Sequence, residues 1–223
     1  MRRFRGIEWS CAVALFATCA RSAYASPPDS DEASSKTPER SVNHMSEVLY
    51  LDPEVGVEYV GLETLHLTSE LFPSQVHTSD VGPVVGVGAG LRLVFVTLGP
   101  RFRFGHFSDW DLWSLGAEAG FKAPLGAVEP FIALGGGYTK LGNLQDARVR
   151  VQGYDIRLSF GVDYYFNKTF SIGGAATAEV LGMTRPGVDL NQSTGSVSKD
   201  VYKLDGSSVG VAIMASAVVG VHL

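Results

Sequence analysis

From Val48 to Leu223 the chain repeats one pattern, in which apolar and polar residues alternate over long segments separated by clusters of Gly, Pro, Asn, Asp and Ser. The clearest segment runs from Gly153 to Phe166, G-Y-D-I-R-L-S-F-G-V-D-Y-Y-F. Successive side chains of a strand point to opposite faces. One face is therefore Tyr154, Ile156, Leu158, Phe160, Val162, Tyr164 and Phe166, and the other Gly153, Asp155, Arg157, Ser159, Gly161, Asp163 and Tyr165. Strands of soluble sheets usually run about 5–6 residues. A longer strand with an unbroken apolar face and a wet opposite face predicts a wall with lipid outside and polar groups inside.

Seven further segments share the pattern, and no helical period is long enough for a second domain. The expected strands are 48–66, one from about Gly82, one carrying Val96, Leu98, Phe102 and Phe104, then 111–122, 128–141, 152–166, 169–182 and 208–223. The turn between the second and third falls either at Arg92-Leu93-Val94-Phe95 or at Leu98-Gly99-Pro100, since Pro is tolerated only at an edge, bulge or turn. Asn167-Lys168 reads as a tight hairpin in which Asn takes the left-handed conformation. Connections after strands two, four and six are short, those after one, five and seven long. That asymmetry predicts an all-β fold, an eight-stranded antiparallel up-and-down transmembrane β-barrel with both termini at the short-turn end. A soluble sandwich is the competing fold, but it must hide its apolar faces from water and would not place so many charges opposite them.

The inward face of this barrel collects charge: Glu54, Glu58, Arg101, Arg103, Glu118, Lys122, Glu129, Asp155, Arg157, Asp163 and Glu179. An eight-stranded barrel is just wide enough for side chains to fill. Charges of both signs crowded there are expected to pair, because an unpaired buried charge is costly. The alternative is a narrow cation-selective path. Aromatic rings prefer membrane–water interfaces, so Trp110 and Trp113 are expected in the outer girdle, Phe121, Tyr164, Phe166 and Phe170 in the inner one, and the outward-facing Tyr138 is counted as a girdle residue too. The Gly-rich stretches Gly86–Gly90 and Gly135–Gly137 lack the helix and Lys-Ser/Thr of a phosphate loop. They are read as room for large inward neighbours.

The N-terminus adds a compartment. Arg2, Arg3 and Arg5 precede the short apolar run Ser10–Ala20, and Ala23-Tyr24-Ala25 supplies small residues for cleavage. This reads as a signal peptide over 1–25. Both cysteines, Cys11 and Cys19, lie within it, so the exported chain is expected to have no thiol. Its removal takes away four basic residues and one acid, leaving 14 Lys+Arg against 22 Asp+Glu. Such an acidic balance disfavours nucleic acid as a partner. Residues 26–47, rich in Pro, Ser and acids, read as a disordered periplasmic leader before a barrel over 48–223.

Candidate chemistry is sparse. His66, His77, His106 and His222 lack metal-site spacing, and Asp189, Asp200 and Asp205 lack calcium-loop spacing, so no metal or cofactor is expected. His106-Phe107-Ser108 has an H-x-S spacing that points both side chains to one strand face, with Glu118 or Asp109 as a third member. It resembles the His–Ser pair of the lipid A 3-O-deacylase family. There, however, the pair lies late in the chain and an Asn follows the Ser, whereas here Asp109 follows.

The export signal, the eight alternating segments and the last strand, S-V-G-V-A-I-M-A-S-A-V-V-G-V-H-L, together resemble the small outer-membrane β-barrel proteins of the OmpA-like and OmpX-like type. In that family the last strand is a sorting signal of alternating apolar residues ending in an aromatic. Ala217, Val219, Val221 and Leu223 keep the alternation, with Leu in the final place. The resemblance implies an outer-membrane location, contact with outer-membrane lipid and lipopolysaccharide, and delivery to the barrel-assembly machinery through that strand. It implies a non-enzymatic structural or surface-interaction role, with loop 183–207 (Lys199, Asp200, Tyr202, Lys203, Asp205) as the chief surface for a partner. Barrels resembling OmpW, which carry small hydrophobic molecules, are the alternative; Phe131, Leu141, Leu181 and Met183 would line such a pocket. A lipid A-modifying hydrolase is the second alternative.

Overall fold

The computed structural model describes residues 48–69, 71, 77–144, 149–187 and 204–223. The expected signal peptide, the leader 26–47 and the middle of loop 183–207 lie outside the described residues. Eight strands follow in chain order: β1 Leu49–Ser69, β2 Ser79–Leu93, β3 Val96–His106, β4 Asp111–Lys122, β5 Val128–Gly142, β6 Val151–Tyr165, β7 Phe170–Arg185 and β8 Gly206–His222. Each pairs antiparallel with the next, and β8 pairs with β1, so the sheet closes on itself. Closure removes the free edges that an open sheet of such strands would expose.

The seam is fastened at one end by the last residue. Val48 N and Leu49 N donate to Leu223 O at 2.9 and 3.0 Å, and Leu223 N donates to Leu49 O at 2.9 Å. The same end carries the connections Val94–Phe95, 123–127 and 166–169. The opposite end, called the outer end below, is where β1, β3, β5 and β7 finish and β2, β4, β6 and β8 begin.

The period-two pattern sorts side chains as polarity dictates. On β6, Tyr154, Ile156, Leu158, Phe160 and Val162 point out, with Ile156 66 % exposed, while Asp155, Arg157, Ser159 and Asp163 are buried inside. The other strands follow suit, and Val55, Val57, Leu98, Leu115, Ile132, Leu134, Val180 and Ile213 extend the outer apolar belt. A contiguous apolar surface of this size is foreign to water-soluble monomers and is what a hydrocarbon layer requires.

Local departures from expectation have local causes. The β2–β3 turn falls at Val94–Phe95, the first of the two expected sites, and Val94 adopts φ 58°. Pro100 lies inside β3 and faces outward; the β2–β3 register is the same on both sides of it, Gly88↔Arg101 and Leu91↔Leu98. The ring is accommodated without a bulge, contrary to the expectation that a Pro marks an edge, bulge or turn. Asn167 also turns the chain differently from its reading. Its side-chain Oδ1 accepts from Thr169 N at 2.8 Å and Phe170 N at 2.9 Å. The left-handed non-glycine residues among those described are Val94 and Asn143.

Candidate functional site

The inward side chains build a ladder of ion pairs along the barrel. Nearest the termini, Arg92 Nη1 and Nη2 each lie 2.9 Å from the Glu129 carboxylate, and Nη1 also donates to Tyr165 Oη at 2.8 Å. Lys122 Nζ lies 2.6 Å from Asp163 Oδ2. In the next tier, Glu54 accepts from Arg103 Nε at 2.7 Å and from Arg101 Nη1 at 2.9 Å. Arg101 also pairs with Glu118 at 3.1 Å, and Arg103 approaches Glu179 at 4.0 Å. Arg157 donates to Asp155 with Nε at 2.7 Å and pairs through Nη2 at 2.6 Å. Glu58 is buried on the same face.

The Gly-rich strand β2 makes this crossing geometry possible. Glu54 of β1 reaches the arginines of β3 over β2, where Gly86 and Gly88 carry no side chain. A Cβ on Gly86 would fall 2.6 Å from Glu54 Oε1, and one on Gly88 would fall 3.0 Å from the Arg101 guanidinium. Beside this tier lies a cavity of about 30 Å³, bounded among others by Asp52, Arg101, Glu118, Lys122 and Asp163. Asp52 Oδ1, Arg101 Nε and Glu118 Oε2 have no protein partner. A cavity of that size takes a water molecule or two, not a solute.

Above the ladder, towards the outer end, the inward face turns apolar. Leu62, Leu112, Leu141, Val151, Leu181, Met183 and Ala212 pack with Val60, Phe107 and Trp110 and with Leu71 and Val149 of the connecting segments. Polar contacts tie the cluster to the rim: Arg185 Nε donates to Leu71 O at 2.7 Å, Leu71 N to Glu63 Oε1 at 2.7 Å, and Trp110 Nε1 to His77 O at 3.1 Å. Leu141, Leu181 and Met183, expected as the wall of a hydrophobic-ligand pocket, are instead packed against one another in this cluster. Phe131 lies apart, lower in the lumen beside the small cavity.

Of the expected girdle residues, Trp113, Phe121, Tyr138, Tyr164, Phe166 and Phe170 lie on the exterior. Trp110 does not. It is fully buried and stacked on Phe107 with ring centroids 4.1 Å apart. Trp110 and Trp113 are three residues apart, and an odd spacing on extended chain places them on opposite faces. Parity alone therefore separates them.

The H-x-S pair is not assembled as expected. His106 Nδ1 lies 2.6 Å from Asp111, neither Glu118 nor Asp109, while Ser108 N donates to Asp80 Oδ2 at 2.8 Å. Glu118 is inside the barrel with Arg101. Asp109 lies 2.9 Å from His77 Nδ1, and this hydrogen bond holds its carboxyl below the ordinary aspartate range. The two members of the pair thus engage different carboxylates.

Arg92, Asp52 and Tyr165 are lumen residues that the sequence reading left out of the charge network. Arg92 falls beside a turn whose position parity could not fix. Asp52 shares its strand face with Glu54 and Glu58, and that shared parity was the signal available.

No protein-family model matches the chain, and no curated protein sequence matches it. Solved structures do resemble it in fold. Neisserial surface protein A is 14% identical, with a TM-score of 0.53 over 78% of this chain and 97% of that one. The N-terminal β-barrel domain of Pseudomonas aeruginosa OprF is 17% identical, with a TM-score of 0.47 over 79% and 98%. The outer membrane protein OprG of the same organism is 11% identical, with a TM-score of 0.44 over 81% and 99%. The closed antiparallel sheet, its apolar exterior and the likeness to Neisserial surface protein A give this chain the fold of the eight-stranded outer-membrane β-barrels.

Proposed function

We propose that this protein is an integral outer-membrane barrel that works as a structural or surface-interaction element of the envelope, neither a channel nor an enzyme. The observation that carries the reading is the lumen, where two kinds of obstruction stand in series. Ion-pair tiers from Arg92–Glu129 to Arg157–Asp155 fill the inner part, and the apolar cluster around Leu62, Trp110 and Leu181 fills the outer part. A conducted ion would have to break charge-assisted hydrogen bonds and then pass a packed, mainly apolar plug whose buried polar groups, Thr139 and Ser208 among them, are already hydrogen-bonded within the protein. Within this reading the last strand serves assembly and loop 183–207 serves any surface partner.

The test is electrical. Purified protein refolded into planar bilayers should give no stable unitary current steps across the physiological voltage range. Regular single-channel steps of the wild-type chain would overturn the closed lumen. A carrier of hydrophobic molecules finds no specific support, because Leu141, Leu181 and Met183 are taken up in the apolar cluster and Phe131 lies apart beside the small cavity.

A further inference from the structure

The exterior near the outer end is not uniform. Phe102 of β3, Trp113 and Leu115 of β4, and Tyr138 and Lys140 of β5 line a groove of about 310 Å³ on the outside of the barrel. The groove exists because two neighbouring rings lean apart. Trp113 packs towards β3, with centroids 4.4 Å from Phe104 and 5.7 Å from Phe102. Tyr138 packs towards β6, edge-on to Tyr154 at 6.1 Å, and its hydroxyl donates to Gln152 Oε1 at 2.8 Å. Between them β4 and β5 are left with a slot. Gly142 keeps its upper end open, since a Cβ there would sit 3.2 Å from Trp113 Nε1.

Charge marks the same place. Lys140 pairs across from Trp113 in the β4–β5 register, two residues towards the rim from Tyr138, and is exposed. Arg150 is exposed one residue beyond the last β5–β6 pair, Leu141↔Val151. Neither forms an ion pair among the described residues. The connections 70–78 and 107–110 contain no Lys or Arg, and Asp80, Asp109 and Asp111 stand beside them. The outer rim is therefore acidic over β1 to β4 and basic over β5 and β6.

An aromatic-walled slot open to the bilayer, with ammonium and guanidinium groups at its headgroup end, has the chemistry of an anionic lipid. Lys lays its stem along apolar surface and keeps its charge at the interface, where Trp and Tyr also settle. Both cations suit phosphate. We propose that this groove seats one acyl chain of an anionic, phosphate-bearing lipid of the outer leaflet, with Lys140 and Arg150 on the phosphate and the Trp113 N–H directed at a headgroup oxygen. The site rests on the membrane reading given under Proposed function, and the experiment separates the two.

Trp113 is its own reporter. The full chain is reconstituted in phosphatidylcholine vesicles containing a small fraction of acyl-brominated phosphatidylglycerol or, in parallel, acyl-brominated phosphatidylcholine. Emission lost relative to Trp113→Phe isolates Trp113 from Trp9 and Trp110. At equal mole fraction the anionic probe should be preferred by about fivefold, and Lys140→Ala with Arg150→Ala should remove that preference while leaving quenching by the zwitterionic probe unchanged. Equal quenching by both probes in the wild type, or a preference that survives the double substitution, overturns the site and leaves the membrane reading standing. Quenching by neither probe means that Trp113 faces no lipid, which overturns the membrane reading as well.

Discussion

At the scale of single residues, Glu54 shows what holds the lumen together. Its carboxylate accepts from two guanidiniums of β3, Arg103 Nε on Oε1 and Arg101 Nη1 on Oε2. Truncating one member of a buried ion-paired group leaves the others charged in a low-dielectric site, at a cost of about 3–5 kcal/mol. Glu54→Ala should lower the unfolding free energy by that amount in urea titrations of the vesicle-embedded barrel. Exposed Lys168→Ala, in the inner turn after β6, should stay within about 0.5 kcal/mol of wild type. A Glu54→Ala barrel as stable as the control would mean that the tier is ornamental. Strand parity made Glu54, Arg101, Arg103 and Glu118 legible as inward residues. It could not say who pairs with whom, because the bonds between β1 and β3 pass over β2 and depend on Gly86 and Gly88 being bare.

At the scale of elements, the turns are where local rules and observed geometry part. Val94 occupies the left-handed region at φ 58°, which costs a β-branched residue about 1–2 kcal/mol relative to residues that tolerate it. The strain is held by the flanking ladder: Arg92 N donates to Val48 O and Lys122 N to Phe95 O. Val94→Asn should therefore raise stability by about 1 kcal/mol, visible as a higher urea midpoint with an unchanged slope. A lower midpoint would show that the Val94 side chain, 43 % exposed, makes contacts worth more than the strain. Asn167 reaches the opposite solution, closing its turn with two side-chain hydrogen bonds and an ordinary backbone. Composition marks Asn167-Lys168 as a turn, whereas the Arg92-Leu93-Val94-Phe95 stretch holds no turn residue and is one of two possible sites. The two connections also differ in length, two residues between β2 and β3 and four between β6 and β7.

At the scale of the whole molecule, the barrel inverts the arrangement of a soluble domain. Charge is inside, and the apolar surface is outside. A basic residue at the bilayer midplane of a barrel costs about 2–4 kcal/mol, falling to about 0–1 at the interfaces. Leu158, the midpoint of β6 and outward-facing, and Tyr154, closer to the outer end, sample the two depths. Leu158→Arg should cost the larger amount and Tyr154→Arg the smaller when folding is measured in vesicles. Equal costs at both positions would contradict a bilayer around β6.

The alternation along the chain determined the number of strands, which face of each is apolar, and the list of inward charges. It did so because side-chain direction in a strand is a local, period-two property that owes nothing to partners. Tertiary structure alone decided the rest. Closure brought β8 to β1 and set the stagger that stacks the ion-pair tiers. It gathered Leu62, Trp110, Leu141 and Leu181, far apart in sequence, into one cluster at the outer end. It also let Trp113 and Tyr138 lean apart on the exterior, opening a groove under Lys140. Each of these depends on which strands become neighbours and by how many residues they are offset, and a pattern confined to one strand at a time does not contain that information.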